Sequence, residues 1–307
     1  MQREQREQRA QRIYGEKTKP FFHRTNFSLL PGERFVIFRQ PFLFWRGNAL
    51  ATVNQLMNLE GRVGVVTGGA TGLGLQMATA LAEAGANVVI CSRKLENCEE
   101  AAHGIEKLGV KALAYGCDVT KPDQVEALKE ATLQKFGRVD ALINNAGRAW
   151  VAPVEDTPLE RWQQVFDLNI TAPFLCAQAF GREMIKVKRG KIINIASVAG
   201  LVGRDPKSYN SIAYSASKGA LVHFTRDLAV KWAVHNIQVN AICPGFFITP
   251  INEKMFHQVE DNILRGIPLG RTGGADDLKG LAVLLASDAS SYMTGAVIPV
   301  DGGAVAW

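Results

Sequence analysis

Two features common in other protein classes are missing from this 307-residue chain. No stretch approaches the roughly 18 consecutive apolar residues that a membrane-spanning helix needs, and charges occupy the N-terminus where a signal peptide would carry its apolar segment. The expectation is therefore a chain without a membrane span and without export. Cysteine is also scarce. The five present, Cys91, Cys98, Cys117, Cys176 and Cys243, are odd in number, widely spaced and free of any C-x-x-C pair. That pattern argues against a disulfide framework and against a zinc site, so no metal is expected and a reducing, cytoplasmic compartment fits best.

An excess of positive charge is nearly absent as well, once it is located. The formal net charge of +6 arises in residues 1–56, which hold ten Lys and Arg against four Asp and Glu and leave 25 of each sign for the rest. The body is electrically balanced, and no nucleic-acid partner is expected for it. Residues 1–56 show no sustained helical or strand period. They open on the Gln/Arg/Glu-rich MQREQREQRAQR and continue into FVIFRQPFLFW. The readings of this segment are a flexible or partly docked basic extension, or an upstream start preceding a true one at Met57. Glu4, Glu7 and Glu16 weigh against an organellar transit peptide.

From residue 57 to 307 short apolar runs alternate with amphipathic segments. RVGVVT (62–67), NVVIC (87–91), KALAY (111–115), VDALIN (139–144), KIINIA (191–196), IQVNAI (237–242) and AVIPV (296–300) are seven candidate strands. Segments long enough for crossover helices separate most of them. The expected fold is α/β, a single doubly wound parallel sheet of Rossmann type with helices on both faces.

The first strand runs into TGGATGLG (67–74), with Gly68, Gly72 and Gly74 in a G-x-x-x-G-x-G spacing. Glycines let the backbone approach a pyrophosphate, and the following helix offers free N–H groups and partial positive charge. Thr71 and Leu73 belong to the same turn. The second strand ends in Cys91, Ser92, Arg93 and Lys94, where a carboxylate would select the ribose hydroxyls of NAD. A hydroxyl and two cations suit the 2′-phosphate of NADP instead, with Arg93 able to pair in a bidentate way.

Taken in order, TGGATGLG, NNAG (144–147), Asn169, Ser197 and Tyr214-x-x-x-Lys218 resemble the short-chain dehydrogenase/reductase family over residues 59–307. The resemblance implies a catalytic group of Asn169, Ser197, Tyr214 and Lys218. It also implies cofactor contacts by Asp118 and Val119, by Asn145, Ala146 and Gly147, and by Pro244, Gly245, Phe247 and Thr249 of PGFFIT. It implies a homo-oligomer, dimer or tetramer, acting on a small-molecule ketone or alcohol.

Ketone reduction needs a proton donor where negative charge develops on oxygen. A free phenol titrates near about 10, so Tyr214 requires a neighbouring cation, and Lys218, four residues on in a helical segment, supplies one on the same face. Ser197 follows a strand at the edge where ligands sit and can donate to the substrate oxygen. Substrate contacts are less legible. Arg148 and Trp150 follow NNAG, and Arg204 and Lys207 lie between Ser197 and Tyr214. Cations at one mouth are compatible with an anionic substrate.

Within the family the look is that of sugar-acid dehydrogenases of the gluconate 5-dehydrogenase kind, with 3-oxoacyl-carrier-protein or 3-oxoacyl-CoA reductases as the alternative. A sensor or scaffold that holds NADPH without turnover is the competitor of another class. An intact proton-donor group weighs against it.

Overall fold

The computed structural model describes residues 50–203, 210–248 and 263–306, together with the backbone of two short N-terminal strands. The chain forms two units, Met1–Leu50 and Ala51–Trp307. In the first, strand β1 (Asn26–Ser28) pairs antiparallel with β2 (Arg34–Val36), with Phe27 opposite Phe35. The second begins six residues before the boundary drawn from composition. Helix α1 (Val53–Met57) is started by a capping box in which Thr52 and Gln55 satisfy each other's backbone N–H groups, and Ser287 Oγ contacts Met57 Sδ at 3.6 Å.

The larger unit is built on seven parallel strands: β3 (Val63–Thr67), β4 (Asn87–Ser92), β5 (Ala112–Gly116), β6 (Ala141–Asn144), β7 (Gly190–Ile195), β8 (Ile237–Pro244) and β9 (Val297–Val300). Their spatial order is β5-β4-β3-β6-β7-β8-β9. The strands between are covered on both faces, which is why their sequences read as continuous apolar runs. Successive residues still face opposite sides. Val66, Val88, Ile90, Ile143 and Ile193 enter one core with α2 (Gly72–Glu83), α3 (Leu95–Glu106) and α8 (Lys279–Ala286). Val65, Val89, Cys91, Leu142 and Ile192 enter the other, against α4 (Pro122–Phe136), α6 (Ala172–Val187) and α7 (Ile212–Trp232).

The order reverses between β3 and β6: the chain leaves β3 toward β4 and β5, then returns to β6 on the other side. In open α/β sheets such a switch point leaves a crevice beyond the C-terminal strand ends, where ligands bind. α5 (Leu159–Phe166) leads through a π-helical turn, Asp167–Thr171, into α6. Among the described residues no helix is long and apolar enough to cross a membrane.

Candidate active site

A cleft of about 700 Å³ opens at the switch point, between the turn after β3 and the start of α7. Gly68, Thr71, Gly72 and Leu73 line its floor. Gly68 has φ +62°, in the left-handed region, and passes so close to α2 that a Cβ on Gly74 would lie 2.2 Å from Gly68 O. The turn therefore needs glycine at both positions, one for its dihedral and one for its space. Gly74 is packing rather than lining. The polar hub of this region is Thr67, whose Oγ1 accepts from the N–H groups of Asn145 (3.0 Å) and Ala146 (3.1 Å). Asn145 Nδ2 returns bonds to Thr67 O and Gly68 O, both at 3.1 Å. The segment after β6 is thereby stapled to the glycine turn.

At the end of β4, Ser92 and Arg93 line the cleft, and Ser92 Oγ donates to Lys94 O at 2.9 Å. Lys94 itself heads α3 at the N-cap position, outside the lining. Opposite lies Asp118, whose Oδ1 accepts from Thr120 N (3.0 Å) and Oγ1 (2.8 Å). Burial pushes its carboxyl upward, but the Thr120 bonds, with Arg93 and Lys121 nearby, outweigh it and hold the group below its ordinary value. Val119, Asn145, Ala146, Gly147, Pro244, Gly245 and Phe247 complete the described wall. Thr249 lies outside the described residues.

The reacting end is organised by α7. Tyr214 and Lys218 stand one turn apart on it, and both line the cleft. Lys218 is 4% exposed, donates from Nζ to Ile195 O at 2.7 Å, and lies 5.6 Å from the centre of the Tyr214 ring. Burial lowers its ammonium pKa to about 8, with Cys243 opposing. Ser197 caps a 3-10 turn, Val198–Gly200, and its Oγ accepts from Ala199 N at 3.1 Å. Asn169 sits in the π-helical turn, fully buried. Its Oδ1 accepts from Arg148 N, and its Nδ2 donates to Arg148 O and to Ser217 Oγ, each at 2.9 Å. A Cβ on Gly147 would meet Asn169 Oδ1 at 3.3 Å and Lys218 Nζ at 3.5 Å, so these groups converge on the Gly147 backbone.

The residues singled out for substrate contact separate. Arg148 lines the cleft, half-buried. Trp150 does not; Arg161 stacks on its ring at 4.6 Å and its carbonyl accepts from Ser211 Oγ at 2.5 Å. Arg204 and Lys207 lie outside the described residues. The rest of this wall is apolar, with Ala149, Val151, Leu168, Ile263 and Ile267.

The sequence did not single out Thr67, nor the buried chain that anchors α7. Asn144 Nδ2 donates to Asn194 Oδ1, and Asn194 Nδ2 to Thr225 Oγ1, both at 2.9 Å, linking β6, β7 and α7. The available signal was polar residues inside otherwise apolar strand runs, since buried polar groups must find partners.

Residues 68–305 match a family model described as Enoyl-(Acyl carrier protein) reductase. A 3-oxoacyl-[acyl-carrier-protein] reductase of Thermotoga maritima is 38% identical over 81% of this chain and all of its own length. The gluconate 5-dehydrogenase of Gluconobacter oxydans is 38% identical over 81% of this chain and 96% of its own. An NAD-dependent glycerol dehydrogenase of Listeria innocua is 38% identical over 80% of this chain and 94% of its own.

Among solved structures, a short-chain type dehydrogenase/reductase from Mycobacterium marinum superposes with TM-score 0.80 at 40% identity, covering 83% of this chain and 99% of that one. A candidate NAD(P)-dependent gluconate 5-dehydrogenase from Beutenbergia cavernae, with NADP bound at low occupancy, gives 0.77 at 37% identity, covering 82% of this chain and 100% of that one. Fold, sequence and motif order agree, and the chain belongs to the short-chain dehydrogenase/reductase family, oxidoreductases that use NAD(P).

Proposed function

We propose that this protein is an NADP(H)-dependent oxidoreductase that interconverts a ketone and a secondary alcohol, with Tyr214 as the proton-transfer group. The observation that carries the proposal is the buried Lys218 ammonium, 5.6 Å from the Tyr214 ring centre and bonded to Ile195 O at the end of β7, in a cleft that Ser197 also lines. A cation held there stabilises the Tyr214 phenolate and lets a phenol exchange protons near neutral pH. Ser197 orients the substrate oxygen by a hydrogen bond. Asn169 fixes the Gly147–Arg148 backbone and Ser217, which keeps the wall beside Lys218 in place.

The cleft fits a dinucleotide. The turn around Gly68 and Gly74 has no room for a Cβ, the helix α2 presents its N-terminus to the floor, and Arg93 and Asp118 face the far end. The nicotinamide cofactor, when bound, supplies or accepts the hydride. Arg93 and the absence of a carboxylate at the end of β4 support the phosphorylated form, as does the NADP in the Beutenbergia structure. The Listeria relative uses NAD by its name, so the comparison of the two cofactors is part of the test.

For the substrate, the proposal is a sugar acid or polyol, with Arg148 as the cation that meets a carboxylate. The named gluconate-type relatives support it. One observation favours a second reading. The apolar wall of Ala149, Val151, Leu168, Ile263 and Ile267 offers little to hydroxyl groups and suits a 3-oxoacyl thioester. Offering the purified protein a 5-keto sugar acid and a 3-oxoacyl thioester side by side, with NADPH and with NADH, decides among these. Turnover of neither, with no cofactor binding, would overturn the proposal. The same reading takes the enzyme as a cytoplasmic homo-oligomer whose residues 1–50 are not needed for turnover; light scattering checks the oligomer and a 1–50 deletion checks the turnover.

A further inference from the structure

Three polar side chains interrupt the apolar strands in a single row: Thr67, Asn144 and Asn194 are register partners across β3, β6 and β7. Each stands two residues after a member of the core that α7 joins, Val65, Leu142 and Ile192, so all three face that side of the sheet. Thr67 serves the cleft wall through Asn145 and Ala146. Asn144 and Asn194 do not line the cleft, and no step of the proposed reaction uses them.

Asn144 Nδ2 donates to Asn194 Oδ1, Asn194 Nδ2 donates to Thr225 Oγ1, and Thr225 Oγ1 donates to Leu221 O, at 2.9, 2.9 and 2.8 Å. Asn144, Asn194 and Thr225 are at most 2% exposed. The direction of this chain is fixed. Thr225 has one hydroxyl proton and gives it to Leu221 O, so it accepts from Asn194, which turns its amide nitrogen to the helix and its oxygen to Asn144.

The bond to Leu221 O also settles χ1 of Thr225, a β-branched side chain, so Oγ1 is held rigidly to the α7 backbone. Lys218 bonds to β7 as well, but through a flexible four-carbon stem that tolerates movement of its helix. Leu221, Val222 and Ala229, buried on the same helix, make apolar contacts, whose attraction has no preferred direction. A hydrogen bond weakens steeply as its angle closes. The Asn194–Thr225 bond therefore resists sliding of α7 along its axis, and rolling about it, more sharply than its neighbours do.

A stiff helix passes a slide or a roll along its whole length. Thr225 lies eleven residues from Tyr214, about 16 Å along the same rod, and Asn194 lies three residues before Ser197. We propose that Asn194 is a positioning residue: through Thr225 it fixes the slide and roll of α7, and so the place of the Tyr214 hydroxyl relative to the Ser197 hydroxyl, which address one substrate oxygen. The inference rests on the roles proposed for Tyr214 and Ser197.

The test compares the full-length wild type with Thr225→Val, which keeps the shape of the side chain and removes its hydroxyl, and with Thr225→Ser, which keeps the hydroxyl. Three quantities are read: kcat and KM for the ketone that the wild type reduces, a 5-keto sugar acid or a 3-oxoacyl thioester; the NADPH dissociation constant; and the separation of the Tyr214 and Ser197 hydroxyl oxygens in crystal structures. Misplacing a reacting group by about 1 Å costs about 100-fold in rate. Thr225→Val should lose about 10- to 100-fold in kcat, keep KM and NADPH affinity within about twofold, and change the separation by more than about 0.5 Å. Thr225→Ser should recover most of kcat. Asn194→Ala, whose small side chain leaves room for water, should match Thr225→Val and carries the comparison should Thr225→Val not fold. The double variant should fall no further than the worse single one, because both remove the same tie.

Wild-type kcat in Thr225→Val would overturn the proposal, as would a Thr225→Ser no faster than Thr225→Val or losses that multiply in the double variant. A lower unfolding midpoint with unchanged kcat would overturn it too, leaving the chain a stabilising element only. If the wild type reduces neither ketone, the assigned reaction fails, while the crystal structures still decide whether the tie sets the Tyr214–Ser197 separation.

Discussion

Lys218 reaches under Tyr214 to the end of β7: its Nζ donates to Ile195 O at 2.7 Å and lies 5.6 Å from the centre of the Tyr214 ring. The ammonium is thus held by a strand carbonyl, and its position relative to the phenol is set by the sheet as well as by the helix. The chain Asn144–Asn194–Thr225 ties the same helix to β6 and β7 two turns further on.

The burial of Lys218 has a consequence for stability. Its pKa is about 8 in the fold against an ordinary 10.5, so between these values the unfolded chain holds a proton that the folded one has released. Stability rises with pH wherever the unfolded state binds more protons, so this lysine costs stability below pH 8 and the cost is relieved above it. Relative to Lys218→Met, the wild type should gain up to about 3 kcal/mol from pH 8 to pH 10.5, read by denaturant unfolding across that range. Lys191, lowered in the same direction to about 8, is present in both proteins and cancels. In the same account ketone reduction falls as pH rises through about 8, because the charge supporting the phenolate is lost.

Arg93→Ala should weaken NADPH by about 10- to 100-fold, the loss expected for a charge-assisted hydrogen bond, while changing NADH by about twofold or less. Titration of both cofactors checks this. Equal losses would remove phosphate recognition from Arg93.

Gly74→Ala places a methyl group 2.2 Å from Gly68 O and 2.5 Å from Asn145 Nδ2. A backbone oxygen in a tight turn has little freedom to retreat, so the expected cost is about 1–3 kcal/mol in thermal or denaturant unfolding. NADPH affinity should fall with it.

Arg148→Ala should raise KM for an anionic ketone by about tenfold or more with kcat little changed, and leave an uncharged ketone unaffected. Its backbone remains clamped by Asn169, so the fold around Gly147 is preserved.

All seven strands of the sheet coincide with the seven apolar runs of the sequence, because strands covered on both faces lose the alternation that water would impose and become short, continuous and easily seen. The glycine turn was legible for a different reason: φ at Gly68 and space at Gly74 admit almost no other residue. The hub at Thr67 was hidden inside RVGVVT, since one hydroxyl in an apolar strand carries no periodic signature. Trp150 illustrates the opposite limit. Its place after a strand end fits a cleft residue, but Arg161, eleven positions on, captures its ring, and no local pattern announces a contact made through tertiary packing. The π-helical turn that carries Asn169 was also invisible, because the flanking helices keep their own period on either side.

NADPH consumption by Tyr214→Phe beside the wild type, with NADPH affinity measured on both, decides whether Tyr214 transfers the proton. A proton-donating Tyr214 predicts unchanged cofactor affinity and a fall in kcat of about 100- to 10,000-fold, the range that general acid catalysis supplies. Turnover by Tyr214→Phe at the wild-type rate would contradict it.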